Sequence, residues 1–174
     1  MMKRLLCLML CALLLAGLFG CHYSESGDIL EPVAYFYPRR TDYFVYGSAD
    51  GVLTSEIREA AGHTEDLLYL LSMYLRGPQD PGLYSPFPAN CKLENIRVED
   101  NTLHIRLSEE FALLENVELT LACAALAKTC LELTELTYIH INSQSDRKTI
   151  SITMDENTLL LADYSAFETQ AATE

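Results

Sequence analysis

The stretch TEDLLYLLSMYLRGP, Thr64 to Pro78, constrains this chain more than any other, because it specifies a helix and also the point where that helix must stop. Leu67, Leu68, Leu71, Tyr74 and Leu75 recur at i, i+1, i+4, i+7 and i+8, which lays an apolar stripe along one side. Thr64 is placed to cap the first turn, and Glu65 and Asp66 put negative charge at the positive end of the dipole. Arg76 suits the last turn, Gly77 offers a left-handed exit, and Pro78 has no N–H with which to continue. The next segment, QDPGLYSPFPANC, holds three more prolines. Prolines fix φ and reduce the entropy lost on ordering, so this connection can hold one shape. Leu83, Tyr84 and Phe87 then either cap the open end of a core or form an exposed docking ridge.

Strand signals lie on both sides of that unit. VAYFY, Val33 to Tyr37, is rich in strand formers and stops at Pro38. Tyr43 to Tyr46 reads as a second short strand, Asp50-Gly51 as a turn, and Val52 to Arg58 as a third strand. After the loop, Ile96 and Val98 alternate with polar residues, Asp100-Asn101 makes a tight turn, and Leu103, Ile105 and Leu107 alternate with His104 and Arg106. That pattern is a β-hairpin with one covered and one wet face. Ser108 to Phe111 begins an irregular link. A second helix runs from about Val117 through ELTLACAALAKTCLEL, where the alanines permit close packing. Thr137, Ile139 and Ile141 form the inner side of a further strand, opposite Tyr138 and His140. Ser143 to Arg147 is a polar turn, and Ile150, Ile152 and Met154 point inward from a last strand. Helices and strands mixed in this order predict an α+β fold, a small two-layer sandwich with two helices packed on one face of a mostly antiparallel sheet.

The amino terminus stands apart from this domain. Lys3 and Arg4 precede an unbroken apolar run from Leu5 to Phe19. At 1.5 Å per residue such a run spans about 22 Å, short of the roughly 30 Å hydrocarbon core, which favours an exported leader over a membrane-spanning helix. Its end, Leu18-Phe19-Gly20-Cys21, looks like a bacterial lipobox, so Cys21 is expected to be the acylated first residue of a mature lipoprotein. Two acyl chains attach a protein stably, each buried methylene contributing about 0.8 kcal/mol. The expected organisation is a leader over 1–20, a membrane-proximal tether over 21–31, a domain over 32–154 and a polar tail over 155–174. The expected location is extracytoplasmic, on the outer face of the cytoplasmic membrane.

The full chain carries a net charge of −13. Removing the leader takes Lys3 and Arg4 with it and leaves −15, a field that opposes contact with nucleic acid. Beyond Cys21 three cysteines remain, Cys91, Cys123 and Cys130. Cys123 and Cys130 share one helix face about 10.5 Å apart along the axis, too far for a disulfide, and read as small buried hydrophobes.

Catalytic constellations are poorly represented. Ser145-Asp146-Arg147-Lys148 matches S-x-x-K but sits in a polar turn without the companion motifs of penicillin-binding enzymes. Glu109 and Glu110 are adjacent, and adjacent side chains point apart. His22 lies in the tether and His63 precedes a helix. His104 and His140 fall on wet sides of strands and could meet across the sheet, although surface histidines without a ligand are the commoner outcome. No enzyme activity, cofactor or metal is expected.

The ordered pieces together resemble the GerMN domain of sporulation and spore germination proteins over roughly residues 33 to 142. The pieces are Tyr35-Phe36, Leu53 with Glu56 and Arg58, Leu75-Arg76-Gly77-Pro78, Ser85-Pro86-Phe87-Pro88, Leu103, Ile105, Leu107 and Ser108 with Phe111, then Thr129 and the Ile139/Ile141 strand. Where the family usually shows Pro-x-Gly-Thr, this chain has Pro88-Ala89-Asn90-Cys91, and Asn is the residue other than glycine best able to take φ > 0. The resemblance implies a non-catalytic envelope lipoprotein linked to sporulation or germination, with a fold similar to ring-building motifs. Its partners would be the membrane, through lipid on Cys21, and an envelope protein or further copies of itself, with Tyr84, Phe87, Tyr138 and His140 as the interaction surface. The alternative is a wall-glycan or small-ligand module that uses the Tyr84/Phe87 loop or the sheet face bearing Tyr138 and His140.

Overall fold

Alternating apolar residues and two helical stripes produce the expected α+β architecture. The computed structural model describes residues 31–40 and 52–159. The leader, Cys21 and nearly all of the tether, the strand expected over Tyr43–Tyr46, the turn at Asp50-Gly51 and the chain from 160 onward lie outside the described residues. The elements run β1 (Pro32–Pro38), β2 (Leu53–Glu59), α1 (Leu67–Leu75), β3 (Leu93–Glu99), β4 (Thr102–Leu107), a 3-10 turn (Glu109–Leu113), α2 (Asn116–Leu133), β5 (Tyr138–Gln144), β6 (Thr149–Met154) and a single-turn α3 (Glu156–Leu159).

The described strands divide between two sheets. β1 and β2 form an antiparallel pair, and the other four lie in the order β3-β4-β5-β6. Within the larger sheet β3–β4 and β5–β6 are antiparallel, whereas β4 and β5 run parallel. The parallel pair follows from connectivity, since α2 intervenes and carries the chain back to the starting edge. The β3–β4 turn has Asp100 at φ 47° and Asn101 at φ 65°, the two positive values that a tight hairpin with matching twist requires.

β1 is the hinge between the two halves of the core. Val33, Tyr35 and Tyr37 are buried, and the Tyr35 and Tyr37 hydroxyls donate to the Leu70 and Tyr74 carbonyls of α1, while the free edge of β1 lies along α2. At that edge the Phe36 N–H donates to Thr129 Oγ1 (2.9 Å) and the Phe36 carbonyl accepts from Tyr74 Oη (2.8 Å). An otherwise orphaned strand edge is thereby satisfied by two helix side chains. Thr129 is fully buried, which explains a hydroxyl in the middle of the apolar, alanine-rich face of α2. Cys123 and Cys130 are free and buried on the same helix, and burial pushes the Cys123 thiol up to about 12 and that of Cys130 higher still.

Three local expectations change. The cap of α1 is Asp66, whose carboxylate accepts from Tyr69 N (2.9 Å), while Thr64 donates instead to Glu31 (2.7 Å). With Asp66 as cap the first turn begins at Leu67, and the buried stripe is Leu70, Leu71 and Tyr74. Leu68 is exposed, because its position lies off that 3.6-residue face. Val98 is 60% exposed and Ile96 only half-buried, because β3 is an edge strand largely beyond the helical cover.

Candidate interaction surfaces

The loop between α1 and β3 is held at nearly every turn. Gly77 leaves the helix at φ 92°, a left-handed angle that favours glycine. Glu56 and Arg58, from the inward face of β2, form an ion pair whose side chains are only 10% and 8% exposed. Arg58 also donates to the carbonyls of Gly77 (2.7 Å) and Met73 (3.4 Å), and its guanidinium lies 5.0 Å from the centre of the Tyr35 ring. The second Glu56 oxygen accepts from Gln79 N and Asp80 N at 2.9 and 2.8 Å. One buried pair therefore ties the end of the helix and the start of the loop to the small sheet, with its lone pairs and protons met by hydrogen bonds as burial demands. Further along, Tyr84 N donates to the Pro38 carbonyl (3.1 Å) and Arg40 N to that of Gly82 (2.9 Å). Asn90 turns the chain at φ 67°, as expected of the residue that stands where the family has glycine.

The far end is locked by Ser108. Its Oγ accepts from Lys92 N (2.9 Å), its N–H donates to the Lys92 carbonyl (2.9 Å), and its own carbonyl accepts from Ser143 Oγ (2.7 Å). A hydrogen bond from Ser108 also holds the Glu110 carboxyl below the usual range. Phe87 is buried between Tyr74, which it meets edge-on at 5.3 Å, and Phe111 at 6.3 Å. Its ring joins a run of aromatics through the core, with the Tyr74 ring 4.8 Å from that of Tyr37. Phe87 thus seats the loop, while Tyr84 remains half-exposed above it.

A groove of about 470 Å³ opens beside that seat, lined chiefly by Tyr84, Pro86, Pro88, Leu113, Val117 and Leu121. Leu113 is 68% exposed and Val117 77% exposed, unusual for such residues side by side on a folded surface. Partial burial, with Glu118 close by, raises the Tyr84 hydroxyl above its ordinary value, so Tyr84 stays a neutral donor at the rim. Neither Leu113 nor Val117 carries a motif; only their exposure in the structure marks them.

Tyr138 and His140 lie elsewhere, on the outer face of the four-stranded sheet. The register places His140 opposite His104 across the parallel pair, with ring centres 5.1 Å apart. His140 Nδ1 is hydrogen-bonded to Thr153 Oγ1 at 2.9 Å. Partial burial, the neighbouring His104 and the Arg97 guanidinium together lower the His140 pKa. Tyr138 is partly exposed at the end of this face, opposite Thr102. The Tyr84/Phe87 loop and the sheet face bearing Tyr138 and His140 are therefore two separate surfaces.

Other singled-out groups have ordinary partners. Ser145 Oγ bonds to the backbone of Lys148, and Lys148 Nζ donates to the Leu114 carbonyl at 2.6 Å, so the S-x-x-K residues are directed into a turn. Burial, reinforced by Glu110, pushes the Cys91 thiol up to about 12, far from a reactive thiolate. Among the described residues no three His, Cys, Asp or Glu side chains gather as a metal set, and no helix is long and apolar enough to cross a membrane.

The profile of the family described as Germane: Sporulation and spore germination matches residues 41–149. Comparison with curated proteins gave no match. Among solved structures the chain is similar to the tandem GerMN domains of the sporulation protein GerM from Bacillus subtilis, at 14% identity and a TM-score of 0.48. That likeness covers 70% of this chain and 44% of the other, so the chain spans less than half of its length. It is also similar to a candidate lipoprotein from Clostridium perfringens, at 15% identity and a TM-score of 0.47, over 76% of this chain and 91% of that one.

Proposed function

Because the chain belongs to the sporulation and spore germination family, we propose that it is a non-catalytic envelope lipoprotein whose domain docks another envelope protein during spore formation or germination. The reading rests chiefly on one observation. Leu113 and Val117, both largely exposed, line a single apolar groove with half-exposed Tyr84 on a loop whose shape is already fixed. Ordering the loop in the free protein lowers the entropy lost on binding, so apolar burial in the groove converts more fully into affinity. Large apolar groups rimmed by polar ones mark contact sites on soluble domains, and Glu118 supplies the polar rim here. Export and lipidation at Cys21 would keep the groove on the outer side of the cytoplasmic membrane, within reach of that partner.

Two variants made in the native bacterium test this reading. Leu113→Glu with Val117→Glu leaves protein levels and thermal unfolding close to wild type and lowers the yield of germination-competent spores. Wild-type spore yield from that strain would remove the groove from the account. Cys21→Ala abolishes incorporation of a labelled fatty acid and releases the protein from membranes. Retained label would move the anchor elsewhere.

A further inference from the structure

The outer face of the four-stranded sheet carries two polar rows that cross all of its strands. Register places Arg97 opposite His104, His104 opposite His140 and His140 opposite Thr153. The adjacent row runs Asn95, Arg106, Asn142, Ser151. Six of these side chains, Asn95, Arg97, His104, Arg106, His140 and Asn142, line one depression of about 470 Å³, within the range of about 300–1,000 Å³ typical of small-molecule sites. Besides Ile105, its lining is made of guanidinium, imidazole and carboxamide groups, with the Glu94 and Glu99 carboxylates at the margin, in a chain of net charge −13.

We propose that this depression binds a small oxyanion, a phosphate or carboxylate carried on a hydroxyl-bearing group. Two guanidiniums give planar, charge-assisted donors suited to such oxygens, and Asn95, Asn142, Ser151 and Thr153 supply neutral donors and acceptors for hydroxyls around them. The arginines are ion-paired at the margin, Arg97 with Glu99 at 3.3 Å and Arg106 with Glu94 at 3.1 Å. These pairs are solvent-exposed, hence weak, and can be shared with or exchanged for a ligand. Glu99 also lies 3.9 Å from His104 Nε2, so the same exposed carboxylate faces both Arg97 and His104 of that row. This face shares no lining residue with the apolar groove, so the inference stands apart from protein docking.

The test is a titration of the full-length protein in detergent micelles, followed by backbone and side-chain NMR. The probes are glycerol 3-phosphate, glucuronate, glucose and nickel chloride. Saturable shifts at Arg97, His104, His140 and Asn142 with glycerol 3-phosphate, glucuronate or both, and none with glucose, support the site. Which of the two anions binds more tightly distinguishes phosphate from carboxylate recognition. Arg97→Gln and Arg106→Gln should each weaken binding about tenfold, the effect of losing one charged hydrogen bond. Thermal unfolding of both variants should stay unchanged, because both side chains are exposed. Four results would each overturn the proposal. They are shifts that fail to saturate, equal shifts with glucose, binding indifferent to both arginine variants, and nickel saturating the histidines where neither anion does.

Discussion

The Pro-rich loop and the outer face of the larger sheet use their polar groups in opposite ways. Beneath the loop, charges and hydroxyls are turned inward, where Glu56, Arg58 and Ser108 hold backbone atoms, and the groove beside it is lined chiefly by apolar groups. On the sheet the inner face is apolar apart from Ser143, with Leu103, Ile105, Ile139 and Ile141 at most 1% exposed, and most of the polar groups stand outward, paired with one another across the strands. The family's motif residues fall largely in the first category. A motif residue here is thus more often a fastening for the loop than an exposed group, and the contact residues proposed above lie beside it.

The sharpest way to break this comparison is to remove one member of the buried pair. Arg58→Met leaves the Glu56 carboxylate without its cation, which costs about 3–5 kcal/mol when the pair is buried. Urea unfolding should register that loss, and a loss under about 1 kcal/mol would show that the pair does not fasten the loop. Phe87→Ala should cost about 3 kcal/mol, the lower end for truncating a buried phenylalanine, because the ring lies next to an open groove that lets water reach the gap. If unfolding free energy scarcely moves while partner binding fails, Phe87 belongs to the contact surface and not to the seat. Thr129→Val orphans the Phe36 N–H and should cost about 1–2 kcal/mol, read by the same unfolding curves and by faster amide exchange at Phe36.

On the sheet side the expected effects are smaller. The folded-state pKa of His140 is depressed, so below its unfolded value of about 6.5 the unfolded chain binds protons that the folded chain resists. Stability is therefore lost as pH falls from about 6.5 through the lowered folded value, then levels off for this group. His140→Gln should flatten that portion of the stability profile and leave stability above pH 7 within about 0.5 kcal/mol of wild type. A profile unchanged by the variant would mean that another group titrates there.

Much of the fold was legible because it is local. Gly77, Asn90 and the Asp100-Asn101 pair announced backbone turns that the dihedrals bear out, and alternation located β3 through β6 to within a residue or two. Non-local features were not legible. The parallel β4–β5 pairing joins segments separated by a whole helix, and nothing in either strand's alternation distinguishes a parallel neighbour from an antiparallel one. The division into two sheets is equally silent, since β1 reads as a strand whichever partner it takes. Glu56 and Arg58 alternate like a solvated strand face, and only the arrival of α1 and the loop over that face buries them. The His104–His140 contact was half legible: alternation put both on outward sides, and the parallel register placed them directly opposite. Leu113 and Val117 left no trace, because an exposed apolar residue at the end of a 3-10 turn and one at the start of a helix look the same in sequence as buried ones.

The central claim is that a fixed loop presents an apolar groove to a protein partner while the sheet face takes no part in that contact. A photoreactive amino acid placed singly at position 117 or at position 140, in the intact bacterium during spore formation, tests this most directly. The account predicts a discrete crosslinked protein from position 117, lost when Leu113→Glu is added, and none from position 140. The same protein captured from position 140, with position 117 silent, would contradict it.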